Sequence, residues 1–304
     1  MATDTCYIDP DPDIIGIGIR ISIYILSLTS PIILFFFPSS PLSSSIQTSS
    51  GVTGLALFLT MIIKTALGDF TLFHALCVLH LLGLVGMSIS PKGRYAMSAF
   101  HAVAFNTLYV LATIASLIYF IFVFASAPTF GSQEECNKET LYVIFWVGVP
   151  ATHNAVRWLF VACFALIVCG ILLQSYATYV RHVTDQDLDS EVLSGGIDEF
   201  HLRWGAFDCM LNGGSEEEDA RRRAEEIAVA KRIRMIVATI GHLVACIYLI
   251  VMLELILTRN RLRPGLQRWQ FGQVLAMMML IGPLMEVLSL VRDPGSRSRR
   301  NTSA

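Results

Sequence analysis

Seven stretches of this chain are apolar over lengths that suit a lipid bilayer: residues 14–37, 51–67, 71–89, 95–125, 156–179, 235–257 and 271–291. A chain patterned this way has few folds open to it. Inside hydrocarbon every backbone N–H and C=O needs a partner from the protein, so each stretch is expected to be a helix. The expected fold class is therefore an all-α integral membrane protein, a seven-helix transmembrane bundle. Over 304 residues, 54% are hydrophobic and only 15% are charged, which is too apolar for a soluble domain of this size. The second and third stretches are joined only by Gly68, Asp69 and Phe70, which predicts a tight helical hairpin. The apolar run 141–150 is too short to span and is read as an interfacial or re-entrant piece. Residues 38–50 are read as a Ser/Pro-rich loop.

Lysine and arginine placement sets the orientation. With the N-terminus outside, the cytosolic side holds Lys92, Arg94, eight basic residues from Arg181 to Arg234 and four from Arg292 onward. The outer side holds Lys138 and the cluster Arg259, Arg261, Arg263 and Arg268. The balance predicts N-outside and C-cytosolic. The exceptional arginine cluster suits lipid head groups or an anionic substrate, or is simply tolerated. The chain reads as one membrane domain over 1–304. Residues 180–234 form its cytosolic loop and residues 292–304 a disordered tail. Within that loop, Ser215 and Glu218 have capping-box spacing, and acid-first i,i+4 pairs such as Glu217–Arg221 predict a short charged helix. Cys6 and Cys136 both fall outside in this topology, where a disulfide is expected.

Charges within the spans are the candidates for chemistry. A central arginine costs roughly 2.5–3.5 kcal/mol even on the mild insertion scales, which makes Arg20 in the first span conspicuous. Gly16 and Gly18 lie between Arg20 and the acids Asp11 and Asp13, and their missing side chains let a helix or a ligand approach. Glu254 sits at the same outer end of the sixth span, so an Arg20–Glu254 pair is geometrically possible; the alternative is an interfacial Arg20 near its helix end. Glu286 and Lys64 lie near span ends, where they can snorkel. A polar cavity is expected from His101, Asn106 and Tyr109 of the fourth span and His153, Asn154, Arg157 and Trp158 opening the fifth. No hydrolase, zinc-protease or nucleotide-binding signature is present, and no Cys/His spacing suggests a metal, so neither metal nor cofactor is expected. No basic stripe with interleaved aromatics suggests nucleic acid. The expected partners are membrane lipids and a lipophilic small molecule.

Two motifs together resemble a group of fungal multi-pass membrane proteins. The first is Asp13-Ile-Ile-Gly-Ile-Gly-Ile-Arg20-Ile-Ser-Ile-Tyr24, similar to an opening of the form DIxGIGVRxxxYxQ, with Leu26 where the glutamine usually stands. The second is Glu254 with Asn260 six residues on, followed by Phe271-Gly272-Gln273. The group includes integral membrane terpene cyclases of the ascochlorin and ascofuranone kind. The resemblance implies a location in the endoplasmic reticulum membrane and protonation-initiated cyclisation, an isomerase-type reaction, of an epoxyfarnesyl aromatic. That chemistry needs an acid, a dry cavity and aromatic faces to stabilise cations. Glu254, Arg20 and Asp13 are the expected catalytic residues. Tyr24, His101, Asn106, Tyr109, His153, Arg157, Trp158, Asn260, Gln273 and Glu286 are expected to contact substrate. On the acid itself two possibilities stand: a protonated Glu254 with Arg20 orienting substrate, or a fixed ion pair. A transporter or channel, or a seven-helix sensor, are the alternative functions for the same intramembrane charges.

Overall fold

The computed structural model describes residues 6–36, 41–88, 99–192, 215–265 and 269–292. Its elements are almost all helical: α1 (Pro12–Ile15), α2 (Ile17–Phe36), α3 (Pro41–Ala66), α4 (Leu72–Ser88), α5 (Ala99–Ala125), α6 (Asn154–Val192), α7 (Ser215–Arg259), α8 (Phe271–Met278) and α9 (Ile281–Arg292). One antiparallel hairpin, β1 (Leu141–Ile144) with β2 (Val147–Pro150), precedes α6. Among the described residues, six helical segments are long and apolar enough to cross a membrane. The seventh expected span, α4, has 17 residues and falls short of that length.

The chain divides into two compact units, Met1–Ala165 with Thr239–Ala304, and Leu166–Ala238. In the first unit α4 is the centre. Phe73, Ala75, Leu76, Cys77, Val78, Leu81 and Leu84 are each fully buried. By contrast α5 and the last turns of α7 leave Leu108, Leu111, Val244 and Ile247 exposed, as lipid-facing side chains of a bundle are. The second unit is helical, built from the later turns of α6 and the earlier turns of α7.

Three boundaries differ from the sequence expectation. The Ser-rich stretch from Pro41 is helix, because Pro41 starts α3 at a position where no N–H is needed and Leu42 and Ile46 are buried. The charged segment from Ser215, expected as a helix leading into the sixth span, runs into it without a break as the first turns of the 45-residue α7. No Pro or Gly interrupts the chain before Gly241. Its capping side chains, and the tail beyond Arg292, lie outside the described residues. The last span is broken between α8 and α9. Pro283 has no N–H to give the carbonyl of Met279 and its ring crowds that carbonyl. Ser49 Oγ donates to the Met279 carbonyl instead, at 3.1 Å. The same repair occurs at Pro31 inside α2: the freed carbonyl of Ser27 accepts from the thiol of Cys246 at 3.7 Å.

The run 141–150 is the β-hairpin. Its base is held by Asn260, one residue past α7, and its tip ring Phe145 meets Tyr248 with centroids 5.8 Å apart. Twelve helical residues separate Asn260 from Tyr248, about 18 Å of rise, so the hairpin lies along the last three turns of α7. Tyr142 at its base packs against Phe124, Phe160 and His80, and burial there raises the pKa of its phenol above the ordinary value.

Candidate functional site

The site begins at the N-terminal segment. Asp11 caps α1, its Oδ1 accepting the Asp13 N–H at 3.0 Å, and Pro12 follows at the first helical position. Gly16 is extended and breaks α1 from α2. Here the chain meets α8. Asp13 Oδ1 accepts the N–H of Gly272 at 3.0 Å, so the carboxylate satisfies an orphan donor in the first turn of another helix and complements its dipole. Gln273, fully buried, returns the contact: its Oε1 accepts the Gly18 N–H at 3.1 Å. The two sequence motifs at opposite ends of the chain are thus one interlocked structure.

Two residues further along α2, Arg20 is 9% exposed. Its Nε donates to the Ile15 carbonyl at 3.0 Å, and its guanidinium is ion-paired with Oε1 of Glu254. The Tyr24 hydroxyl donates to the same oxygen at 2.7 Å. Oε2 of Glu254 has no hydrogen bond among the described residues, and the Glu254 side chain is 42% exposed. Arg20 and Tyr24 thus both meet Glu254 through the same oxygen. Next to it, at the end of the bundle where Asp11 lies, Lys64 is ion-paired with Asp11. His74 Nε2 accepts the Asp11 backbone N–H at 3.0 Å, which puts the ring hydrogen on Nδ1, facing Thr71 Oγ1 at 2.7 Å. Asp11 was read only as a flanking acid in the sequence; that it anchors both Lys64 and His74 depends on three elements meeting.

The remaining expected site residues are dispersed. Asn260 pairs with the backbone of Leu141, Oδ1 accepting its N–H and Nδ2 donating to its carbonyl, both at 2.9 Å. It extends the hairpin by one side chain. Arg157 donates to the carbonyls of Phe124 (3.0 Å) and Ala125, capping the C-terminal end of α5, and to Asn154 Oδ1 at 3.3 Å. Trp158 and His153 are exposed. Glu286 makes no side-chain hydrogen bond or ion pair among the described residues. His101 and Asn106 lie on α5, and their side chains are outside the described residues.

Among the described residues of the set, Tyr109 alone borders the large apolar cavity. This cavity, about 500 Å³, lies between α3, α4 and α5 and is walled by small residues such as Gly54, Gly83 and Ala112 and by Phe58 and Phe120. The Tyr109 hydroxyl donates to the Gly86 carbonyl at 3.4 Å. Glu254 and Arg20 do not line it. Its volume falls in the range of small-molecule sites, and its lining is apolar apart from Tyr109 and a few Ser and Thr hydroxyls.

No family model, curated protein or solved structure matches this chain.

Proposed function

We propose that this chain is a seven-helix integral membrane protein of the endoplasmic reticulum, N-terminus outside and C-terminus cytosolic, that acts on a lipophilic small molecule. In its sharpest form it is a terpene cyclase of fungal secondary metabolism that closes an epoxyfarnesyl aromatic by protonation. One observation supports it most: Glu254 is held by Arg20 and Tyr24 through one oxygen, and its other oxygen has no hydrogen bond among the described residues.

In this reading a proton carried on Oε2 passes to the epoxide oxygen. The epoxide C–O bond breaks, and the chain's π electrons attack the carbon left behind. The last cation loses a proton from a neighbouring carbon, and Glu254 takes it up. Atoms and charge balance, and the substrate is isomerised. Arg20 offsets the carboxylate left after proton donation, and Tyr24 keeps its oxygen oriented. The apolar cavity holds the prenyl chain or stores the ligand. Because no carboxyl lines that cavity, a carrier or sensor that binds a lipophilic ligand without altering it is the second reading.

Expression in a fungal host fed an epoxyfarnesyl aromatic, with products separated by chromatography and weighed by mass spectrometry, tests the first. A product of unchanged mass and new retention time is expected. Glu254→Gln keeps shape but has no proton to give, and is expected to lower product by about two orders of magnitude with normal expression. A well-folded, fully active Glu254→Gln removes Glu254 as the acid. Retained ligand binding with no product in either protein favours the carrier or sensor.

A further inference from the structure

We infer that the chain binds a phosphate group between Arg259 and Arg261, in a polar cavity at the end of α7. The cavity, about 340 Å³, is bounded by these two arginines, by Asn260 and Glu139, and by the Cys6–Cys136 disulfide. It is separate from the apolar cavity and from the Arg20–Glu254 pair, and it does not depend on the reaction proposed for them.

Three observations carry this. First, both guanidinium groups lack an acceptor among the described residues. Arg20, Arg157 and Arg263 each have one: Glu254, the end of α5, and Asp9 at 3.0 Å. Glu139 is the one carboxylate lining the cavity, so one positive charge is in excess there. Two exposed arginines that line one cavity suit a tetrahedral oxyanion.

Second, the backbone that carries the arginines is already ordered. Ile8 donates to the Arg261 carbonyl at 2.9 Å and accepts from Arg263 N–H at 3.0 Å. Asn260 between them is locked to Leu141, and the disulfide closes the far wall. Opposite Arg259 stands Gly148, where a Cβ would lie 3.3 Å from Nη1, so a missing side chain leaves the guanidinium its room. Binding therefore orders little beyond two side chains.

Third, the apolar run of α7 ends at Arg259, which places the cavity where a helix leaves hydrocarbon and lipid phosphates lie. The phosphate belongs either to a lipid head group or to a soluble phosphate compound.

The test uses the full-length protein in maltoside micelles, which contain no phosphate. Short-chain phosphatidic acid and inorganic phosphate are titrated separately, and bound ligand is counted by native mass spectrometry. Saturable one-to-one binding is expected. Phosphatidic acid alone identifies a head-group site, and binding of both identifies a site for soluble phosphate as well. Arg259→Gln with Arg261→Gln is expected to weaken binding about tenfold or more. Glu139→Gln is expected to tighten it, since it removes the opposing charge. No saturable binding of either probe overturns the assignment, as does equal affinity in the double variant. Should the double variant not fold, Glu139→Gln decides alone: unchanged or weaker binding overturns it.

Discussion

Gly16 and Gly18 carry no side chain, and α8 occupies both spaces. A Cβ at Gly16 would lie 2.4 Å from Gln273 Cδ, and one at Gly18 would lie 2.9 Å from Gln273 Cβ and 3.0 Å from its carbonyl oxygen. Gln273 is fully buried and bonded to the Gly18 N–H, so it has no room to yield. Gly16→Ala and Gly18→Ala are each expected to cost about 1–3 kcal/mol, read as a lowered unfolding midpoint in detergent. Gly170→Ala, with nothing near its Cβ, is expected to raise stability slightly or leave it unchanged. The glycines, Asp13, Arg20, Glu254 and Gln273 were all legible as a motif. Their partners were not: nothing in the spacing says that Asp13 satisfies a donor of α8 rather than touching substrate. Asp11, His74 and Thr71 were missed as a group because their contacts cross 63 positions of sequence.

At the scale of elements, two prolines interrupt helices and two side chains from neighbouring helices repair the breaks. Ser49→Ala is expected to cost about 1 kcal/mol, since it strips the Met279 carbonyl of its donor inside the bundle. In a Pro283→Ala background the residue at 283 regains an N–H for that carbonyl, and the loss is expected to shrink toward zero. A thermal-melt double-mutant cycle measures this, and equal losses in both backgrounds would refute the account. The hairpin poses a different element-scale question. Its turn residues Phe145 and Trp146 have φ of 45° and 66°, a region bulky residues enter at roughly 1–2 kcal/mol each. Both rings are exposed. The run 141–150 was recognisable as too short to span, but its conversion to a hairpin rests on Asn260 and Tyr248, which lie more than a hundred positions away.

For the whole molecule, the Cys6–Cys136 disulfide ties the first described residue to the segment between α5 and β1, across 130 positions. Closing so long a loop constrains the unfolded chain, so Cys6→Ser with Cys136→Ser is expected to lower stability by about 2–4 kcal/mol. Peptide mapping without reductant checks that the bond is present, and free thiols at both positions would refute it. A protease-protection assay on a C-terminal tag tests the orientation set by the Lys/Arg count, with a cytosolic tag expected. The sequence alone determined that the chain is mostly helical, with helices long and apolar enough to cross a membrane, because apolar runs of that length in lipid leave the backbone no other way to pair. It also marked which charges are anomalous, because each is costly wherever it faces hydrocarbon. Only the tertiary structure decided which charge faces which. Arg20 reaches Glu254 across 234 positions, Asp13 reaches Gly272 across 259, and Asn260 reaches Leu141 across 119. The physical reason is range. Periodicity and hydropathy act over a turn or a span, whereas a partner for a buried polar group is supplied by whichever helix packs beside it.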